Sequence, residues 1–524
     1  PADPIFGIGQ TARPSAEIIA THKGNRTGRL DSLEPGPSIS GQGKQDSSST
    51  LRAKGEIVSF PEEFIFGVAT AAYQVEGAAN EGGRKPSIWD DYLHRSPGLP
   101  NGDVACDHYH RFKDDIQLMA YLGIKAYRLS LSWSRILPDG DGKVNEEGVS
   151  FYLEVLTLLL EHGIEPWVTL YHWDLPSALQ NRFGGWAMGR YEIVESFASY
   201  ARLCYERFGH LVRYWLTLNE PWCSAILGYT GIHAPGKQDR QGVEPYLAAH
   251  NLLLAHARAV QIYREEFAAT QQGVIGLVMN SRWYEPFRKD HEGDKSLARQ
   301  QLDFQLGLFA DPLYFGDYPS SVRRIVGDRL PVFTEGEKAM VVNSSDFFGL
   351  NMYSGQFVQT EPRKGNPPQA QTYNMDRMRG KHKVKLVTGK LEKTDLGWPI
   401  MPWGLTKLLG YVQRRYNPTG GIVITENGAV LEPQRSVAQD ERPGVLNPRP
   451  YNASEAPLEN FTSETYEDRD RIRFLKAYLH AVASARARGA DVRGYFLWSI
   501  MDNLEWHQGY KRWGIVRVDF QTQK

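Results

Sequence analysis

Two glutamates, Glu220 and Glu426, end apolar runs that read RYWLTLNE and IVITE. A carboxylate at the end of a buried run is costly unless a function or a partner compensates it. Other apolar runs of the chain end in comparable side chains. His172, Trp173 and Asp174 close one, Asn219 precedes Glu220, Asn351 and Tyr353 close another, and Asn427 follows Glu426. Trp498 ends the last run, shortly before Asp502, Asn503, Glu505 and Trp506. A carboxylate pair among aromatic rings and amides suits the cleavage of a glycosidic bond. One carboxyl protonates the leaving oxygen, the other supports or attacks the anomeric carbon of a flattened, cationic sugar, and indole faces stack on the pyranose. Competing chemistries lack their parts: no HxH stands near a strand start, and the GxGxxG, GxxxxGK[ST] and GxSxG patterns are absent. A chain this large has many acidic residues, so spacing alone leaves alternatives open. Glu220 and Glu426 also read as solvated strand ends, His172 as a satisfied core histidine, and Trp498 and Trp506 as ordinary packing.

Eight short runs rich in β-branched and aromatic residues could carry these groups, over residues 64–72, 126–133, 166–173, 213–220, 274–280, 347–353, 422–426 and 494–498. Between them lie helical patterns with apolar spacings of three and four, as over 107–122 and 190–208, the first with Asp107 as its N-cap and Gly123 at its end. Strand then helix, eight times, predicts an α/β protein with a single (β/α)8 TIM barrel, whose active groups belong at the strand C-termini. Three stretches exceed a minimal barrel: 228–245, 361–397 and 431–470, rich in Pro, Gly and charge. Each follows a strand, so they are expected as long loops that wall the active face.

The chain has 524 residues and a net charge of -1, from 60 Lys+Arg against 61 Asp+Glu. That balance argues against a nucleic-acid partner or a polybasic membrane contact, and no apolar run is long enough to cross a bilayer. Three cysteines, Cys106, Cys204 and Cys223, have no CxxC spacing, so neither a disulfide framework nor a zinc ribbon is expected; no metal and no cofactor are called for. Residues 1–55 hold eight Gly, five Pro and seven Ser with one aromatic, Phe6, a composition that predicts a disordered tail ahead of a barrel domain over 56–524. The missing signal-peptide pattern favours the cytoplasm, with secretion open if the N-terminus is trimmed.

The segments TLNEP (217–221) and ITENG (424–428) resemble the two signature segments of glycoside hydrolase family 1, the retaining β-glucosidases. FIFGVATAAYQVEG, YRLSLSWSRILP, TLYHWDLP, GLNMYS and LWSIMDNLEW extend the resemblance over about residues 60–520, in the family's order. It implies a (β/α)8 barrel with glutamates on strands four and seven. It implies Glu220 as general acid/base and Glu426 as nucleophile, about 5 to 5.5 Å apart as retention requires. Glu220 should rest protonated, its pKa raised by an apolar wall and by Glu426. By the same resemblance Asn219 holds the sugar 2-hydroxyl, and Arg128 and Tyr353 hold the Glu426 carboxylate. Gln74, His172, Glu505 and Trp506 bracket the 3-, 4- and 6-hydroxyls, Trp498 forms the stacking floor, Trp173 the sugar-site wall, and Trp398 the leaving-group side. Without the resemblance Arg128 reads equally as a core ion pair; Met352 and Cys223 are read as packing.

The resemblance implies an exo-acting β-glucosidase that acts on a small-molecule β-glucoside or short oligosaccharide, with galactosyl or fucosyl residues as a second activity. Glu220 stands where thioglucosidases carry Gln, and a carboxylate at Glu505 would repel a 6-phosphate. Two readings stay open: a transglucosidase using the same intermediate, and a non-catalytic sugar-binding descendant. Two departures from the family pattern stand out. EWHQGYKRWGIVRVDF is one residue shorter than expected after Glu505, with Trp513 where Phe is usual, which puts the wall beside the 6-position in doubt. The sequence also stops at Lys524, where the family runs on into a final helix, so the expectation is a barrel without that cover over strands eight and one.

Overall fold

A computed structural model describes residues 58–95, 98–362, 371–378, 382–387, 391–431 and 468–523. The predicted tail, 1–55, and most of 431–470 lie outside the described residues. Eight parallel strands close into a barrel in chain order. Strand one is Ile65–Ala69, two Ala126–Ser130, three Glu165–Tyr171 and four Tyr214–Asn219. Strand five is Val274–Asn280, six Phe348–Asn351, seven Ile422–Asn427 and eight Val492–Trp498. Each falls on one of the eight expected runs. Strand eight returns to strand one in continuous register, Ile65 opposite Gly494 through Ala69 opposite Trp498.

The strands are apolar throughout because helices cover their outer faces while side chains fill the interior. Trp167 stands near the N-terminal end of that interior. Its ring stacks on Tyr214, with centroids 4.1 Å apart, and meets Phe496 at 4.9 Å and Phe347 at 5.8 Å. A side chain at Gly67 of strand one would come within 2.3 Å of the Phe496 ring, so the glycine makes room for this plug. With the lower end filled, the barrel can hold a ligand only at its C-terminal end.

The helix expected over 107–122 is His108–Tyr121, and that over 190–208 is Arg190–Phe208. Asp107 occupies the N-cap position but does not cap with its side chain. Its backbone is left-handed, φ 56°, and its carboxylate meets His110 Nδ1 at 2.6 Å. Segments following strands five and six form a small sheet of their own, Trp283–Pro286, Gly355–Pro362 and His382–Val387. The described part of the expected insertion over 361–397 is thus partly strand rather than loop. No helix among the described residues is long and apolar enough to cross a membrane.

Candidate active site

Strand pairing is irregular at the ends of the two strands that carry the glutamates. Register shifts fall between Leu216 and Asn219 on strand four, and after Ile424 on both sides of strand seven. Such irregularities re-aim side chains. Glu220, one residue past strand four, is also left-handed at φ 44°, as are Trp173 at φ 78° and Trp506 at φ 47°. Strained backbone at three non-glycine positions around one opening is held by its surroundings, a pattern that accompanies function.

Glu220 and Glu426 line one cavity of about 390 Å³ at the C-terminal end of the barrel. Gln74, His172, Trp173, Tyr353, Trp398, Trp498, Glu505 and Trp506 line it as well. Trp513 joins that wall, its ring centroid 5.3 Å from that of Tyr353 and 5.9 Å from that of Trp398. Arg128, expected on the Glu426 carboxylate, and Asn219 stand behind this wall. Arg128 is fully buried and Asn219 is 1% exposed. The Asn219 amide oxygen accepts from Arg128 Nη2 at 2.7 Å and from Asn351 Nδ2 at 3.0 Å, while its nitrogen donates to His172 Nε2 at 3.0 Å. Asn219 therefore braces three site residues, and the second hydrogen of its amide nitrogen is not used by these bonds.

The two carboxyls have different surroundings. Glu426 is ion-paired to Arg128 Nη1 and accepts the Tyr353 hydroxyl at 2.6 Å. Both partners are donors, and together they fix the position of its carboxyl oxygens. Glu220 has no cation in direct contact among the described residues. Asn351 Nδ2 donates to Oε1 at 2.8 Å and the Cys223 thiol donates to Oε2 at 2.9 Å. Burial first, then the Glu426 charge, pushes Glu220 up to about 7 against those two bonds and the more distant Arg128. Burial and the same two carboxylates push Glu505 up to about 8. His172, driven well below its usual range by burial and then by Arg128, is neutral. Accepting at Nε2, it carries its proton on Nδ1, which is buried and has no partner. Gln74 donates to Asn503 Oδ1 at 3.1 Å and to the Leu504 carbonyl at 2.7 Å, leaving its own buried Oε1 unpartnered. A free donor and a free acceptor on one wall are what a hydroxyl-rich ligand needs.

The family model for glycosyl hydrolase family 1 matches residues 57–442 and 454–524. The chain belongs to glycosyl hydrolase family 1. β-Glucosidase 4 of Oryza sativa subsp. japonica is 46% identical over 471 residues, covering 88% of this chain and 91% of the relative. β-Glucosidase 42 of Arabidopsis thaliana is 45% identical over 477 residues, covering 88% and 90%. The crystal structure of the rice Os3BGlu6 β-glucosidase superposes with a TM-score of 0.79 at 39% identity, covering 88% of this chain and 95% of that one. A mutant of that rice enzyme has been solved in a covalent complex with Glc from GA4GE. The fold is thus the family 1 (β/α)8 barrel, and the protein is a glycosidase that acts on glycosides.

Within this family 1 site, Cys223 is the residue the sequence misplaced. Read as packing, it is a direct hydrogen-bond partner of Glu220. Its place three residues after Glu220 was the one signal available in the sequence; in the structure it opens a π-helical turn over Cys223–Leu227. Arg282 and Arg377 also line the cavity and were not singled out, because neither ends a barrel strand.

Proposed function

We propose that this glycosidase is an exo-acting, retaining β-glucosidase in which Glu426 attacks the anomeric carbon and Glu220 serves as general acid and then general base. The observation that carries the assignment of roles is the contrast between two carboxyls in one cavity. Glu426 takes a guanidinium and a phenol, while Glu220 is buried with neutral donors and pushed up to about 7. In the first step the Glu426 carboxylate forms a bond to C1 as the C1–O bond breaks, and the Glu220 proton passes to the departing oxygen. Loss of the Glu426 charge removes one of the two causes that raise Glu220, so its pKa falls. It can then take a proton from the water that attacks C1 and releases Glu426. Trp498 and Trp506 each lie near-parallel to the His172 ring, at 5.7 and 6.0 Å between centroids, and support a wall for the sugar.

The test is hydrolysis of alkyl and dinitrophenyl β-glucosides by Glu220→Gln and Glu426→Gln. Glu426→Gln is expected to lose both substrates. Glu220→Gln is expected to lose ~10²- to 10⁴-fold on the alkyl glucoside, whose leaving group needs a proton, and far less on the dinitrophenyl one. Equal losses on both substrates would reject Glu220 as the acid. Product analysis with an added alcohol separates hydrolysis from transfer to that acceptor.

A further inference from the structure

The leaving oxygen must lie within reach of Glu220, so the departing group occupies the part of the cavity away from Gln74 and His172. That part is walled by segments that follow strands four, five and six. Two guanidinium groups stand there. Arg282, two residues past strand five, sits over Trp398 with its guanidinium carbon 6.0 Å from the ring centroid, and its charge is felt at the Cys223 thiol beside Glu220. Arg377 ends the short helix Tyr373–Arg377, and its Nε is shut off from solvent without a hydrogen-bond partner.

Two acidic side chains on the same segments are paired with other cations. Glu285 accepts Lys407 Nζ at 2.7 and 2.9 Å, and Asp376 accepts the two arms of Arg329 at 2.7 and 2.8 Å. Among the described residues, neither Arg282 nor Arg377 makes an ion pair through its side chain. Nor does the nucleophile need them, since Glu426 already holds Arg128 and Tyr353. Guanidinium groups without an ion pair among the described residues, lining a largely buried cavity and one of them beside an indole, match an aromatic ring that carries a planar anion.

We propose that the leaving-group half of the cavity selects glycosides whose aglycone is an aromatic carboxylic acid, with Trp398 against the ring and Arg282 and Arg377 on the carboxylate. The inference rests on the glycosidase reading of Glu220 and Glu426. The test compares kcat/KM for 4-carboxyphenyl β-D-glucoside with that for the neutral 4-carbamoylphenyl analogue, in the wild type and in Arg282→Gln, Arg377→Gln and the double variant. Differences in leaving-group chemistry cancel when the ratio of the two substrates is compared between proteins. The ratio is expected to fall about fivefold to tenfold in each single variant, in keeping with a charge-assisted bond partly open to water. It should fall further in the double variant and recover in part in Arg282→Lys, which restores charge without the fork. Added salt should lower the wild-type ratio and leave that of the double variant unchanged. A ratio unmoved by any substitution, with the neutral glucoside still cleaved, overturns the acidic-aglycone inference only. If the wild type cleaves neither glucoside, the glycosidase reading fails and takes this inference with it.

Discussion

Replacing Cys223 by valine removes a donor from the carboxyl that has to hold a proton. In the wild type the thiol donates to Glu220 Oε2 at 2.9 Å while Asn351 donates to Oε1 at 2.8 Å. Both bonds favour the ionised carboxyl and oppose burial and the Glu426 charge, which together push it up to about 7. A thiol is a weak donor, so its bond to a carboxylate is worth ~0.5–1 kcal/mol, less than the usual bond to a charged group. At 1.36 kcal/mol per pKa unit, that is about half a unit. Valine should raise the Glu220 pKa and move the alkaline limb of the kcat/KM profile up by about 0.5 unit. Serine, a stronger donor in the same place, should move the limb down. The charged and titratable groups that act on or with Glu220, namely Glu426, Arg128 and Glu505, are the same in both variants. The assay is kcat/KM for a p-nitrophenyl β-glucoside from about pH 5 to about pH 9, where the limb reports the free enzyme. Opposite displacements in the two variants are the expected signature. A limb that stays put, or moves the same way in both, would refute the thiol bond and return Cys223 to packing.

Arg128→Met leaves the buried Glu426 carboxylate and the Asn219 amide oxygen without their guanidinium donors. It should cost ~3–5 kcal/mol in urea unfolding, and Arg128→Lys should recover only part. Trp167→Ala empties the plug at the far end of the barrel and should cost ~3–5 kcal/mol while the folded fraction keeps its specific activity; a loss of activity per folded molecule would contradict a purely structural role. Glu220→Gln should stabilise the protein at alkaline pH. Folding raises the carboxyl from 4.5 to about 7, so it favours the fold below the lower value, and this contribution is lost as pH rises through the upper one. The variant should therefore gain ~3 kcal/mol relative to wild type at about pH 8 and nothing at about pH 4, read as a difference in Tm. The same gain at both values would show that ionisation of Glu220 is not its source.

The eight strands were legible because a barrel strand buried on both faces leaves an uninterrupted apolar run, a local signal that needs no partner to be read. Glu220 and Glu426 were legible for a related reason: a carboxylate ending such a run is a conflict between chemistry and burial, visible in one dimension. Asp107 shows where that kind of reading stops, since the N-cap position was correct but the left-handed backbone and the bond to His110 follow from the surrounding packing. Asn219 makes the same point at the site. The family resemblance alone implied its sugar contact, and its bonds to Arg128, Asn351 and His172 follow from the irregular end of strand four and from side chains at the ends of strands two, six and three. Cys223, Arg282 and Arg377 carry no pattern of their own and acquire a role only when barrel closure brings them to one opening. Sequence determined which residues are buried and which of them conflict with burial. Tertiary structure decided which polar atoms meet, because distances of about 3 Å across the barrel depend on bulges and turns that no local periodicity encodes.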